Sequence, residues 1–277
     1  MKILAVGDFD NGLPKKLKSK LKKEKPDLIL SPGDVCYGKA IRTIAFKYYE
    51  SEKEWYDIIG RKKAQKLTID SVKKGDKILN FLNSLGAPTF LVFGNHDKTG
   101  QYSRWTFGRK NLYGKLIRKY KNIQAIDLKC KKYNNFYLIG YGQNNSGPEI
   151  PLYDEKPTKK EKRIYARNIK KLKKFFKGRN PKQIIFLMHN VPFKTKLDKI
   201  TSRKAPKSVR GKHFGSLIAQ KIIKKYHPLI AIGGHMHEGQ GKTKIGKTLI
   251  INSGPASEGK YAVIDIENSK IMVKFHR

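Results

Sequence analysis

The chain has 277 residues, of which 38% are hydrophobic and 10% aromatic, and this suffices for a globular protein with a buried core. Basic residues far outnumber acidic ones, 61 Lys and Arg against 22 Asp and Glu, and the formal net charge is +39. Because each acid can neutralise only one base, most basic side chains must face water, counterions or an anionic partner. Two explanations stay open: nucleic acid or another polyanion as partner, and a compositional bias toward lysine.

The cysteine count and the N-terminus bear on the compartment. Cys36 and Cys130 are too few and too far apart for a disulfide scaffold or a cysteine metal site, which indicates a reducing environment. The apolar run that follows Met1 is too short for a signal peptide, and the sequence contains no run of 18 apolar residues that could span a membrane. We therefore expect a cytoplasmic location and no membrane span.

The predicted elements begin with a strand and then alternate. Short apolar runs bounded by glycine or polar turns predict strands at 3–6, 28–30, 90–93, 137–141, 184–188, 229–232, 249–251, 261–266 and 271–275. Leucines four residues apart, from Leu13 to Leu21, predict a helix between the first two strands, and further helices are expected over about 40–85, 164–176 and 217–226. The basic segments 157–162 and 201–212 are predicted to be exposed loops. This order indicates a layered α/β fold.

The stretch from about residue 40 to 85 is longer than a connection between two strands requires. We interpret it as a basic helical insert within a single domain of residues 1–277. Its aromatic residues, among them Trp55 and Tyr56, are interleaved with basic residues such as Arg42. These rings either pack the insert onto the remainder of the protein or stack on nucleic acid bases.

Polar residues stand directly after several predicted strands, at the edge where open α/β sheets bind ligands. They are Asp8, Asp34, Asn95, His189 and His235. Each one alone is more typical of a turn than of a ligand. Together they predict that side chains distant in the sequence meet along one edge of the fold.

Taken in order, these motifs resemble the calcineurin-like metallophosphoesterase family. The motifs are Asp8-Phe9-Asp10, Gly33-Asp34, Gly94-Asn95-His96-Asp97, His189-Asn190 and Gly234-His235-Met236-His237. The stretch 189–258 also looks similar to a small phosphoesterase subgroup found in archaea. The resemblance implies a four-layer α/β sandwich, in which two mixed sheets are flanked by helices. It also implies hydrolysis of phosphate mono- or diesters.

The resemblance further implies a binuclear metal centre, in which two divalent ions activate a bridging water. The first ion would be held by Asp8, Asp10 and His237, the second by Asn95, His189 and His235, and Asp34 would bridge the two. His96 would stabilise the transition state or protonate the leaving oxygen. Tyr37, Asp97 and His213 are candidates for supporting the ligands or contacting the substrate.

Two departures from the family pattern affect these expectations. Asp10 stands where the family usually has histidine, and a carboxylate makes the first metal position harder. We therefore expect Mn²⁺, with Mg²⁺, Fe, Ni and Zn as alternatives. Tyr37 stands where relatives have a second aspartate, so it could orient His96 only through a hydrogen bond.

Three function classes are consistent with the sequence. The first is a phosphoesterase that acts on small phosphate mono- or diesters. The second is a nuclease or nucleic-acid-processing phosphodiesterase, which the net charge favours. The third is a non-catalytic module that binds metal or phosphate, which the departures at Asp10 and Tyr37 allow. The natural substrate, the native metal and the oligomeric state stay open.

Overall fold

The structure of the protein is a computed structural model that describes residues 1–36, 39–48, 51–97, 112–142, 157–203, 205, 207–267 and 270–277. Its helices are α1 (Lys15–Glu24), α2 (Lys39–Lys47), α3 (Trp55–Ile58), α4 (Arg61–Ser84), α5 (Leu112–Ile117), α6 (Lys159–Phe176) and α7 (Leu217–Tyr226). Its strands are β1 (Lys2–Ala5), β2 (Leu28–Ser31), β3 (Thr89–Leu91), β4 (Ile123–Ala125), β5 (Cys130–Tyr133), β6 (Phe136–Tyr141), β7 (Ile184–Asn190), β8 (Ile230–Gly234), β9 (Gly241–Ile245), β10 (Thr248–Asn252), β11 (Tyr261–Glu267) and β12 (Lys270–His276).

Within the described ranges, the strands form two mixed sheets of six strands each. The first sheet has the order β12-β11-β1-β2-β3-β4, in which β1 to β4 are parallel neighbours and β11 and β12 are antiparallel. The second sheet has the order β5-β6-β7-β8-β10-β9, with a parallel centre and antiparallel strands at both edges. In each sheet the parallel strands end at a common edge. The candidate functional site lies at these two edges.

The strands alternate their side chains between two apolar layers. In β1, Leu4 packs with helices α1, α4 and α5, whereas Ile3 and Ala5 face the other sheet. The second sheet presents residues such as Leu187 to the first sheet and residues such as Phe186 to helices α6 and α7. The resulting order is helices, sheet, sheet, helices, so the expected four-layer α/β sandwich is confirmed.

The strands predicted from the sequence agree with the structure better than the predicted loops do. Each predicted strand has a counterpart, but β4, β5, β9 and helix α5 were not predicted. These elements are short or lie at sheet edges. Strands β5 and β9 are mostly polar and exposed, so they lack the apolar run that reveals a buried strand.

The prediction of a loop at 157–162 is wrong, because helix α6 begins at Lys159. The Thr158 hydroxyl accepts a hydrogen bond from the Glu161 backbone N–H at 3.2 Å, and the Glu161 carboxylate accepts one from the Thr158 N–H at 2.7 Å. This reciprocal capping box satisfies two N–H groups at the helix start and stabilises the helix despite its lysines. The described residues of 201–212 form turns and a short 3-10 segment, consistent with the predicted loop.

Two aromatic residues of the predicted insert pack against other residues of the insert. Trp55 and Tyr56 form a buried cluster with Ile41 and Ala64, which joins α2, α3 and α4. Their rings are buried within the insert itself, so the structure supports neither stacking on bases nor packing onto the remainder of the protein for these two residues. The C-terminal half of α4 packs on the first sheet through Leu79 and Leu82. The assignment of residues 1–277 to one domain with an insert stays a prediction.

In the part of the chain that the structure describes, no helix has the length and apolar character needed to cross a membrane.

A glycine after β2 determines how closely two loops of the first sheet approach each other. Gly33 has φ +98°, and a Cβ there would lie 2.6 Å from both the Gly94 N and the Val92 O. Gly86 has φ +77°, but a Cβ there would meet no atom within 4 Å. The two glycines thus share left-handed backbone geometry and differ in the space around them.

We expect Gly33→Ala to lower the free energy of unfolding by about 2 kcal/mol more than Gly86→Ala does. Both substitutions strain a left-handed residue, but only the first also forces two backbone segments apart. Urea denaturation of the two variants and the wild type measures the difference. Equal losses would show that the Gly33 contact does not limit the packing of these loops.

Candidate metal centre

The loops at the carboxyl ends of β1, β2 and β8 are tied to one another by hydrogen bonds. The Asp8 N–H donates to the Gly33 carbonyl at 2.8 Å, and the Asp10 N–H donates to the Asp34 carbonyl at 3.0 Å. The His235 N–H donates to Asp8 Oδ2 at 2.9 Å and so connects the two sheets. Residues separated by more than 200 positions in the sequence therefore share one pocket.

Several residues at these strand ends adopt left-handed backbone conformations. The φ angles are 52° for Asp8, 45° for Asp10, 51° for Asp34 and 67° for His235. Non-glycine residues rarely adopt this conformation, and it tends to persist at functional sites where the surroundings enforce it. Here it turns the chain sharply after each strand.

The Asp97 carboxylate holds two of these loops together. It is buried and accepts hydrogen bonds from the backbone N–H groups of Asp34 at 2.7 Å, Val35 at 2.9 Å, Cys36 at 3.1 Å and Gly94 at 3.0 Å. Burial raises the pKa of Asp97 to about 6, although these donors favour the ionised form. Asp97 therefore organises the loops after β2 and β3, and its contacts assign it a supporting position.

One group of potential ligand atoms is packed closely around His189. Its Nε2 lies 2.8 Å from Asn95 Oδ1, 3.2 Å from His235 Nδ1 and 3.5 Å from Asp34 Oδ2. His235 Nδ1 is also 3.0 Å from Asn95 Oδ1. Metal–ligand bonds of about 2.0–2.2 Å place neighbouring ligand atoms about 3 Å apart, so these separations fit a single divalent ion.

The choice of which ring nitrogen of His189 carries the hydrogen also supports a divalent ion at this cluster. Its Nδ1 lies 2.8 Å from the Pro32 carbonyl oxygen, which can only accept, so Nδ1 carries the hydrogen. In the neutral ring, Nε2 then has a lone pair directed at Asn95 Oδ1 and Asp34 Oδ2, which are acceptors as well. Acceptors this close repel one another unless a cation or a donated hydrogen lies between them, and a backbone carbonyl on the far nitrogen is the usual support of a histidine ligand.

The second predicted group is Asp8, Asp10 and His237, in which His237 Nε2 lies 3.8 Å from Asp10 Oδ2. Asp8 Oδ1 and Asp10 Oδ1 are buried with no hydrogen-bond partner in the described structure. Burial, reinforced by the neighbouring Asp10 carboxylate, raises the pKa of Asp8 well above its ordinary value, and burial raises the pKa of Asp10 to about 7. Two adjacent buried carboxylates, each with an unpartnered oxygen, fit a divalent cation that would neutralise their charge.

The remaining titratable groups complete this electrostatic setting. Burial raises the pKa of Asp34 well above its ordinary value, and Asp97, Asp8 and Asp10 raise it further. Burial lowers the pKa of His189 to about 4 and of His237 to about 3, and it lowers that of His235 well below its ordinary value. The three imidazoles are thus neutral near pH 7, which is the form that binds metal.

His96 lies at the rim of the pocket. Its backbone N–H donates to Asp34 Oδ1 at 2.8 Å, and its Nε2 is 3.7 Å from Asp34 Oδ2. The side chain is 23% exposed, so it is accessible from solvent while remaining next to the Asp34 carboxylate. Asp10, Asp34 and His96 also bring ligand atoms within 4.8 Å of one another.

Two further predicted residues are not part of these groups. His213 Nδ1 is 2.9 Å from the buried Asp198 carboxylate, which also accepts backbone N–H groups from Thr195 and Gly215. The contacts of His213 therefore belong to the loop that follows β7, and its role toward substrate stays a prediction. Tyr37 lies outside the described residues.

Arg42 is the site residue that sequence reasoning did not single out. Its Nη1 lies 2.9 Å from Asp10 Oδ2 and 3.3 Å from His237 Nδ1. In the sequence it was one of several basic residues in the predicted insert, and nothing in the local pattern distinguished it. Only the packing of α2 beside the strand ends brings it to the pocket.

Residues 1–275 match the family described as "Metallophosphoesterase, calcineurin superfamily". The chain belongs to this superfamily. Members of this superfamily are metal-dependent phosphoesterases, and the cluster of ligand atoms around His189 agrees with a metal site. The resemblance drawn from the motifs is therefore confirmed.

Similarity to individual proteins extends the family assignment. An uncharacterised protein of Methanocaldococcus jannaschii is 29% identical over 150 residues, which are 53% of this chain and 60% of that protein. The alignment thus spans less than two thirds of the curated relative. One crystal structure is 23% identical, covers 99% of this chain and 98% of its own, and has a TM-score of 0.67.

A dimetal phosphatase from Danio rerio is similar in fold as well. Its structure is 11% identical, covers 99% of this chain and 95% of its own, and has a TM-score of 0.53. At these identities the two solved structures support the metallophosphoesterase fold alone.

We expect Asp97→Asn to lower the free energy of unfolding of the metal-free protein by about 3 kcal/mol at pH 8. The amide keeps one acceptor oxygen and turns N–H groups toward backbone donors that the carboxylate satisfied, and each unsatisfied buried donor costs about 1–3 kcal/mol. Urea denaturation in the presence of chelator provides the measurement.

The exposed Asp57→Asn on α3 is the matched control, and it should change stability by less than about 0.5 kcal/mol. If Asp97→Asn lowers the free energy of unfolding no more than the control does, the organising role of the Asp97 carboxylate is contradicted.

Proposed function

We propose that this chain is a two-metal phosphoesterase that hydrolyses phosphate mono- or diesters at the pocket between the two sheets. The observation that carries the proposal is the cluster of His189, Asn95, His235 and Asp34, whose ligand atoms approach as closely as 2.8 Å. The superfamily assignment supports the same activity, and the Danio rerio protein of similar fold is a dimetal phosphatase.

The proposed ligand sets follow the two groups of side chains. Asn95, His189 and His235 would hold one divalent ion, Asp8, Asp10 and His237 would hold the other, and Asp34 would contact both. Two such ions supply positive charge to the phosphate oxygens and lower the pKa of a nearby water. The neutral imidazoles add ligands without adding charge, and the three carboxylates offset most of the metal charge.

His96 is the proposed acid. It lies at the exposed rim next to Asp34, so its Nε2 would face the ester oxygen that leaves. A proton donated there would neutralise the developing alkoxide or phenoxide. Asp34 would accept from the His96 backbone N–H through its other oxygen and so keep the ring next to the pocket.

The proposed metal is Mn²⁺. Carboxylates at residues 8, 10 and 34 and the amide oxygen of Asn95 are hard ligands, whereas the three histidines are intermediate. A mixed oxygen and nitrogen set suits Mn²⁺ and is compatible with Mg²⁺, Fe, Ni or Zn.

We expect turnover of aryl phosphate esters to require Mn²⁺ and to stop in excess chelator. Asp34→Ala should reduce turnover to background, because it removes the ligand shared by both ions. His96→Ala should lower kcat by about 10²–10⁴-fold and leave the bound metal unchanged. His276→Gln, on β12, is the matched control and should keep full activity.

Metal content by elemental analysis and unfolding in denaturant complete this test. Mn²⁺ at one hundred times its Kd should raise the free energy of unfolding by about 2.7 kcal/mol. Undiminished hydrolysis in excess chelator would overturn the proposal. Metal binding without turnover of any ester would instead support the non-catalytic module.

Nucleic acid is a second candidate substrate, because the net charge is +39 and helix α6 is rich in lysine along its exposed face. The buried positions of Trp55 and Tyr56 argue against base stacking by these rings, but backbone contacts by lysines would remain. The comparisons with known proteins do not add support for a nucleic acid partner.

We expect salt to separate the two substrate classes. If lysines contact 6–10 phosphates, oligonucleotide affinity should fall about 10³–10⁵-fold between 50 and 200 mM salt, whereas KM for a small aryl ester should change little. Steady-state kinetics on both substrates across this salt range gives the comparison. Equal salt dependence of the two KM values would remove the charge-based argument for nucleic acid.

A further inference from the structure

Helix α2 places a permanent positive charge within one of the two proposed metal positions. Arg42 Nη1 lies 2.9 Å from Asp10 Oδ2 and 3.3 Å from His237 Nδ1. The Arg42 side chain is 39% exposed, whereas those of Asp10 and His237 are 7% and 15% exposed. The guanidinium therefore reaches inward from the rim and contacts two buried groups that the proposed function assigns to a cation.

The chemistry of the Arg42–His237 contact fixes the hydrogens on the imidazole. A guanidinium has only N–H donors, so His237 Nδ1 must present its lone pair to Arg42. In a neutral ring the hydrogen then resides on Nε2, which lies 3.8 Å from Asp10 Oδ2. Neither ring nitrogen of His237 has a lone pair left for a metal in this arrangement.

A metal ion can bind His237 only if one of the two ring nitrogens has a free lone pair. Each way of providing that lone pair displaces Arg42. If Nδ1 binds a cation, its lone pair is no longer available to the guanidinium. If Nε2 binds a cation, the hydrogen moves to Nδ1 and faces an N–H group of Arg42, which places two donors against each other. Repulsion between a divalent ion and a guanidinium that share Asp10 acts in the same direction.

The other metal position is arranged differently. His189 keeps its hydrogen on Nδ1, where the Pro32 carbonyl accepts it, and so its Nε2 is already in the form that binds metal. Asn95 Oδ1 and Asp34 Oδ2 lie next to that nitrogen. His189 therefore needs no exchange of partner before a cation binds, whereas His237 does.

We propose that Arg42 is a counter-cation built into the first metal position, so that a divalent ion binds at Asp8, Asp10 and His237 only when the guanidinium leaves. The inference rests on the proposed function, because it takes these residues as metal ligands. It makes the two positions unequal. The position at Asn95, His189 and His235 fills first, and the binuclear centre assembles only at a higher metal concentration.

Mn²⁺ titration of the metal-free full chain by calorimetry tests this inference. The wild type should show a tighter and a weaker binding event. Arg42→Met removes the charge and the donors, so it should tighten the weaker event by at least about tenfold and change the tighter one less than twofold. Arg42→Gln removes the charge but keeps N–H donors, and it should tighten the weaker event as well.

Two variants serve as controls. Arg42→Lys keeps the charge and should bind Mn²⁺ nearly as the wild type does. Arg61→Met removes an arginine at the start of α4 that is 83% exposed and should change neither event. Circular dichroism of the metal-free variants checks that each is folded before titration.

Electron paramagnetic resonance of bound Mn²⁺ gives a second readout that does not depend on turnover. The signal of two coupled Mn²⁺ ions should appear at fewer added equivalents in Arg42→Met than in the wild type. His237→Ala should abolish the weaker event, and His235→Ala should weaken the tighter one.

The outcomes separate this inference from the proposed function. Two Mn²⁺ events that Arg42→Met and Arg42→Gln leave unchanged or weaken would overturn the role of Arg42 and leave the binuclear centre standing. An absence of Mn²⁺ binding in the wild type and in every Arg42 variant would overturn both. Tightening in Arg42→Lys equal to that in Arg42→Met would also contradict the role of the charge.

Discussion

The buried Asp97 carboxylate is the contact on which the geometry of the site depends. Its two oxygens accept four backbone N–H groups, three from the loop after β2 and one from the loop after β3. A neutral side chain could not accept as many bonds of this strength in a buried setting. Asp34, whose own N–H is one of the donors, is thereby held in the pocket next to His96 and His189.

The same pocket concentrates charge that the fold alone does not balance. Asp8, Asp10 and Asp34 are buried together, and burial with mutual repulsion raises their pKa values. Arg42 offsets part of this charge through Asp10. Such an arrangement is unfavourable unless cations bind, and the chain belongs to a superfamily of metallophosphoesterases. The buried carboxylates are thus the origin both of the electrostatic cost of folding the site and of its ability to bind metal ions.

Much of the fold could be predicted because buried strands leave a clear signal. Apolar runs such as 184–188 end in a glycine or polar turn, and each predicted run coincides with a strand in the structure. Edge strands β5 and β9 were not predicted because the adjacent lysines of β5 and the alternating lysines of β9 leave no apolar run. Helix α6 begins before the predicted helix at 164–176. The capping pair Thr158 and Glu161, which lies within a basic segment of the sequence, is the signal for this earlier start.

The sequence by itself determined which residues could serve as ligands and that they follow successive strands, since parallel strands end at a common edge. It also determined the family, through the order of the motifs from Asp8 to His237. The tertiary structure decided which nitrogen of His189 carries the hydrogen, which loops Asp97 joins and that Arg42 reaches Asp10. These features depend on partners that are 32 to 157 residues apart, and only the packing of the two sheets and helix α2 brings such partners within hydrogen-bond distance.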